Sequence, residues 1–201
     1  RAVRVIGSPM GSVRSVFDNM KYDTDDDWAT AARRMLAVPG ALDGYAESLR
    51  NGIAHDLVAS KRQAAAAARQ AAAWSGTDDE GSRPFFDRLV DGYESRRDHS
   101  PALLADLRAA AATATAAYAD TARFMRDEYH QAATERDPVG PERYQREARG
   151  FLGMTIDPVE TYEWGWEELA RIEARAAEVC DQIEPASTWA EAGEKLEDDP
   201  R

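Results

Sequence analysis

The stretch "SPALLADLRAAAATATAAYADTARFMRDEYHQAATE", residues 100–135, decides the fold class. Ser100 followed by Pro101 is a helix opening: a hydroxyl to cap the first free amides, then a residue whose missing N–H is no loss in the first turn. Beyond it Leu104, Leu107, Ala111, Ala114, Tyr118, Thr121, Met125 and Tyr129 recur at intervals of three and four, which keeps them on one helical face. At about 1.5 Å per residue such a helix reaches roughly 50 Å. It is too long for a small bundle unless other helices line it, and its alanine-rich centre lets them approach closely. No stretch of comparable length alternates with the period of a strand.

Outward from this helix the punctuation is helical throughout. The segment "SPMGSVRSVFDNM" predicts a short helix carrying Val13, Val16, Phe17 and Met20. In "DTDDDW", Thr24 is a cap and the following aspartates suit the positive end of a helix that runs to about Ala37. Pro39 then fits the first turn of a separate helix ending at Asn51-Gly52, with Leu42, Tyr45 and Leu49 at helical spacing. An alanine-rich helix follows over 57–74, and another over 84–94 with Phe85, Leu89 and Tyr93 spaced by four. After "DPVGP", Pro141 begins a short helix through "ERYQREA". Asp157, Pro158 and Glu160 then open a helix that Pro185 ends, and "STWAEAGEKLEDD" gives a last one capped by Ser187. The only β-branched run, "VRVIG", is too brief to found a sheet. The expectation is an all-α assembly of eight or nine helices, one of them very long.

The totals narrow the function classes. With 201 residues, 43% hydrophobic and 31% charged, the chain is long enough to bury a real core and is not a disordered tail. No run of about 18 apolar residues is present, so no membrane helix is expected. A net charge of −12 argues against a nucleic-acid partner, whose phosphates need clustered basic side chains. Acidic runs such as "YDTDDDW" and "LEDDPR" read as solvated helix ends. One cysteine, Cys180, allows neither an internal disulfide nor a cysteine-based zinc cluster. A cytoplasmic location is the expectation. The start, Arg1 rather than Met, reads as a trimmed or excerpted chain.

Candidate chemistry is sparse. The three histidines are His55 after a helix end, His99 in a polar loop and His130 late in the long helix. Asp127 and His130, three apart, resemble half of a di-iron bundle site, but such a site needs a second pair and two more inward carboxylates. No H-E-x-x-H, no Gly-x-Ser-x-Gly and no phosphate-binding glycine loop occurs. Cys180 lies on the apolar face of its helix, as a small buried hydrophobe does. In "FLGMTIDPVETYEWGWEELARI", residues 151–172, Tyr162, Trp164 and Trp166 read as core, with Trp164 off the main face and the helix start buried on two sides. Gly165 in the helix interior then reads as a close approach of another backbone. Tyr144 and Arg149, on the short helix before them, are the substrate-contact candidates, and Arg149 could equally pair with an acidic neighbour. The residues alone lead no further than a helical domain.

Four stretches in order carry a resemblance: "SPMGSVRSVFDNM", "DDWATAARRMLAVPGALDGYAESLRNGIA", "FMRDEYHQAA" and "DPVGPERYQREARGFLGMTIDPVETYEWGWEELARI". Together they resemble the actinobacterial branch of the bacterial domain-of-unknown-function 885 family, which is similar in fold to the helical zinc carboxypeptidases. The resemblance covers most of the chain and is closest over 126–172, with Gly140, Tyr144, Phe151, Leu152, Gly153, Asp157, Glu160, Tyr162, Trp164 and Gly165 the most specific residues. Members are much longer, and their zinc ligands come later, in a His-Glu motif with another His and a downstream glutamate. That motif is absent here, so no catalytic or metal-binding residue carries over. The resemblance implies that residues 1–201 are a single helical region, the N-terminal-to-middle portion of a zinc-dependent peptidase-like hydrolase. Zinc is then expected in the complete protein, and the partners are the remainder of the polypeptide and a peptide substrate. A self-sufficient helical scaffold without chemistry is the alternative. It predicts a closed core, whereas a portion of a larger protein predicts an orphan apolar face.

Overall fold

The computed structural model describes residues 3, 7–137 and 139–197, all-α with no strand among them. Part of the "VRVIG" run and the charged residues from 198 onward lie outside the described residues. Eight helices are described, in two compact units that divide at Pro138 and Val139.

The first unit holds α1 (Pro9–Asp18), α2 (Asp25–Ala54), α3 (Lys61–Ser75), α4 (Phe85–Glu94) and the long α5, which runs from Pro101 to Ala132. The start signals work as read. Thr24 Oγ1 accepts from the Asp27 amide, and the Asp27 carboxylate accepts from the Thr24 amide at 2.9 Å, a reciprocal capping box. Ser8, Ser60 and Ser100 cap α1, α3 and α5 by the forward bond alone, each hydroxyl accepting from the amide three residues on.

Some boundaries differ from the sequence reading: α3 opens at Lys61, capped by Ser60, rather than at 57, and the larger difference is at Pro39. Pro39 does not open a helix; it lies inside the continuous α2. A proline there removes a backbone hydrogen bond and costs on the order of 3 kcal/mol. Met35 and Val38 before it and Leu42 and Leu49 after it are all buried on the face that packs along α5, and breaking the helix would separate them. Burial of such side chains contributes about 1.5–3 kcal/mol each, so the face outweighs the proline.

α5 is the axis of the unit: α2, α3 and α4 all pack along it. Ala110, Ala111 and Ala114 of α5 and Ala64, Ala67 and Ala71 of α3 are buried, and these small side chains allow the close approach expected of them. Aromatic rings fill the wider spaces. Phe17 meets Phe86 edge-on with centroids 5.1 Å apart, and Trp28 lies 5.3 Å from Tyr93. Two buried tyrosines tie helices by their hydroxyls. Tyr118 Oη donates to the Met10 carbonyl at 2.9 Å; Tyr93 Oη donates to Asp25 at 3.0 Å and accepts from the Ser100 amide at 2.9 Å.

Near its end α5 changes character. Phe124–Tyr129 is π-helical, and the His130 amide donates to the Met125 carbonyl five residues back. Beyond Ala132 the Lys61 amide donates to the Thr134 carbonyl at 2.8 Å and the Thr134 amide to the Ala59 carbonyl at 3.1 Å, fastening the end of α5 to the start of α3.

The second unit holds α6 (Pro141–Leu152), α7 (Pro158–Ile183) and α8 (Trp189–Glu197). Asp157 caps α7 by accepting from the Val159 and Glu160 amides, as the sequence predicts. α8 starts one residue later than expected: Thr188 caps it, with Glu191 returning a bond to the Thr188 amide, while the Ser187 hydroxyl donates to the Cys180 carbonyl. No helix among the described residues is long and apolar enough to cross a membrane.

Candidate functional site

A cleft of about 800 Å³ in the first unit opens between α3, the loop after it and the π-helical end of α5. Ala65, Ala68, Ala72, Ala73 and Ala122 line it, and because none of these side chains extends past a methyl group they leave the space open and apolar. One wall is Arg69 and Gln70 of α3 with Thr77–Glu80 of the loop; the other is Arg126, Asp127, His130 and Gln131.

Backbone geometry sets both walls. Gly76 ends α3 at φ +68, and a side chain there would come within 2.7 Å of the Ser82 carbonyl, so only glycine gives the turn this reach. Asp78 accepts from the Ser82 amide and hydroxyl, and those bonds, the hydroxyl's foremost, hold its carboxyl below the usual aspartate range. On the opposite side the π-turn keeps Met125 and Tyr129 in the core while Arg126, Asp127, His130 and Gln131 face the cleft. π-helical turns are uncommon and recur at functional sites.

The polar groups are not all matched. Arg126 binds Asp127 through two hydrogen bonds, of 2.7 and 3.0 Å, which hold the Asp127 carboxyl below its usual range. The Gln70 side-chain oxygen is shielded from solvent and has no hydrogen-bond donor among the described residues. Among the described residues that line it, the one hydroxyl is that of Thr77, and it lies 2.9 Å from the Ser75 hydroxyl.

The sequence candidates fall elsewhere. Tyr144 and Arg149 are both exposed on α6, and neither lines this cleft. His55 sits at the end of α2 with Nδ1 2.8 Å from the Asn51 carbonyl, and His99 has Nδ1 2.8 Å from the Arg96 carbonyl. Among the described residues no three His, Cys, Asp or Glu side chains converge as metal ligands. Arg126 bonds the Asp127 carboxylate, and among the described residues no group of three such side chains includes Asp127 and His130. Cys180 is buried, as expected, in a groove of about 500 Å³ between α7 and α8 with Val179, Ile183, Trp189 and Leu196.

The aromatic stretch departs most from its reading. Tyr162, Trp164 and Trp166 are 66%, 61% and 58% exposed, not core. Gly165 has open space around it rather than a neighbouring backbone. Phe151, Leu152, Met154, Val159, Leu169 and Ile172 are exposed as well. Residues 151–172 therefore present a large apolar surface, well beyond the scattered exposure ordinary for a folded chain. The sequence reading missed Arg69, Gln70 and Arg126. The one available signal was Arg126 directly before Asp127, a partner that takes the carboxylate away from His130.

No curated protein matches this chain. The model of one family, described as bacterial protein of unknown function (DUF885), matches residues 1–201. The chain thus belongs to the DUF885 family of bacterial proteins.

Proposed function

We propose that this chain is the non-catalytic helical portion of a zinc-dependent, carboxypeptidase-like hydrolase of peptides, and that it works in the cytoplasm. In this reading its helices form one wall of the channel along which a peptide reaches the metal. Metal and catalytic residues belong to a further part of the same polypeptide.

The observation that carries the reading is the exposed apolar surface of residues 151–172. Exposing so many aromatic and aliphatic side chains to water is unfavourable by about 25 cal/mol per Å² of apolar surface, so a covering surface is the economical explanation. Tyr144 and Arg149 lie next to it on α6 and are the proposed substrate contacts. The described residues do not fit zinc, since no ligand set converges among them, and no catalytic step is assigned to them.

A second reading, a helical scaffold without chemistry, draws on the first unit, where capped helices enclose a continuous core. Elemental analysis of this chain and of the protein from a longer stretch of its reading frame separates the two. Stoichiometric zinc in the longer protein alone is the expected result. Zinc in neither, with metal supplied in excess, overturns the hydrolase reading and leaves the scaffold.

A further inference from the structure

The end of α5 is held differently from the rest of the first unit. Met125 and Tyr129 are buried, and the Tyr129 hydroxyl accepts from the Ala59 amide at 2.9 Å. After Tyr129 burial almost stops: within 130–137 Ala133 is the one buried side chain, His130 is half-buried and the others are exposed. The backbone ladder changes at the same place. The His130 amide reaches back five residues to Met125, and the Ala133 amide only three, to the His130 carbonyl, at 3.3 Å.

What holds the segment is a row of polar bonds to the start of α3. Besides the Lys61 and Thr134 amide bonds, Lys61 Nζ pairs with Glu135 at 2.5 Å. The Asp137 carboxylate accepts from Arg62 Nε at 2.7 Å and from the Ser60 hydroxyl. That same Ser60 oxygen accepts from the Gln63 amide, so one atom both caps α3 and anchors Asp137. Among the described residues no hydrogen bond or ion pair ties 134–137 to α1, α2 or α4. Segments held by exposed polar bonds rather than by buried side chains open locally, while a core opens only with the whole fold.

We infer that residues 130–137 are a latch, opening and closing as one unit against the start of α3 while the rest of the first unit stays folded. Tyr129, seated in the core, is its fixed end, and Asp137 is its catch. Closed, the latch holds His130 and Gln131 in the wall of the cleft; open, it withdraws them and uncovers the alanines of α3. Access to the cleft is thereby tied to one carboxylate at the far end of the segment, next to the point where the chain divides into its two units. The latch is independent of the hydrolase reading, since it needs no metal and no further part of the polypeptide.

Hydrogen exchange of the 201-residue chain, followed amide by amide by nuclear magnetic resonance in low concentrations of urea, tests this. The His130, Thr134 and Lys61 amides should be protected, should exchange faster than the Leu107 amide in the core, and should respond little to urea, because opening the latch exposes little surface. Asp137→Ala should speed all three by the same factor, about fivefold. Glu94→Ala, which breaks a comparably exposed ion pair with Arg108, should leave them unchanged. Exchange of the three with the steep urea dependence of Leu107 overturns the proposal, because the segment then opens only with the whole unit. Three amides with no protection, or with no response to Asp137→Ala, overturn it as well. So does a His130 amide that stays slow while Thr134 and Lys61 speed up, because the cleft wall then lies outside the moving segment.

Discussion

Removing one oxygen atom tests how the first unit is held together. Tyr93 is fully buried on α4, and its hydroxyl serves two other helices at once, donating to Asp25 in the first turn of α2 and accepting from the Ser100 amide at the cap of α5. Tyr93→Phe keeps the ring, its packing on Trp28 and the helix propensity, so the change isolates the two bonds. Asp25 is exposed and regains water, so its loss is at the low end, about 1 kcal/mol. The Ser100 amide is half-buried and left short of an acceptor, which adds about 1 kcal/mol more. The expected destabilisation is about 2 kcal/mol, or about 5–10 °C in Tm for a unit of this size. Urea unfolding followed by far-ultraviolet circular dichroism measures it, with an unchanged slope showing that compactness is preserved. A loss under about 0.5 kcal/mol would refute the reasoning and mean that water replaces both bonds without cost.

Two further outcomes follow from burial and backbone geometry. Leu107→Ala, at a fully buried site on α5, should destabilise by about 2–5 kcal/mol, whereas Trp166→Ala, on the exposed stripe of α7, should stay within about 0.5 kcal/mol in this chain; equal losses in urea titration would show that the stripe is packed after all. Pro39→Ala should stabilise by about 1–3 kcal/mol, because it restores an amide donor within a helix already continuous on both sides, and a lower Tm would place a true boundary there.

Local chemistry was legible. Thr24, Ser100 and Asp157 cap the helices the sequence assigns to them, since a side chain three residues from an amide needs no distant information to reach it. The all-α class and the long helix follow from period alone, a property written along one strip of chain. The continuity of α2 through Pro39 was not legible: it depends on Met35, Val38, Leu42 and Leu49 sharing α5 as a partner.

The site was less legible than the fold. The cleft joins Arg69 and Gln70 to Arg126 and His130, more than fifty positions away, across a π-turn that no propensity announces. The aromatic stretch shows the same limit in reverse. Helical spacing gave Tyr162, Trp166 and Leu169 a shared face, and they have one, but spacing cannot say whether anything lies against it. Period, caps and composition act between neighbours in the chain, so the sequence by itself determined the class, the helices and their faces. Which faces close on one another is settled by contacts between distant segments, and only the tertiary structure decided that one face of α5 is covered by α2, α3 and α4 while the aromatic stretch of α7 is exposed.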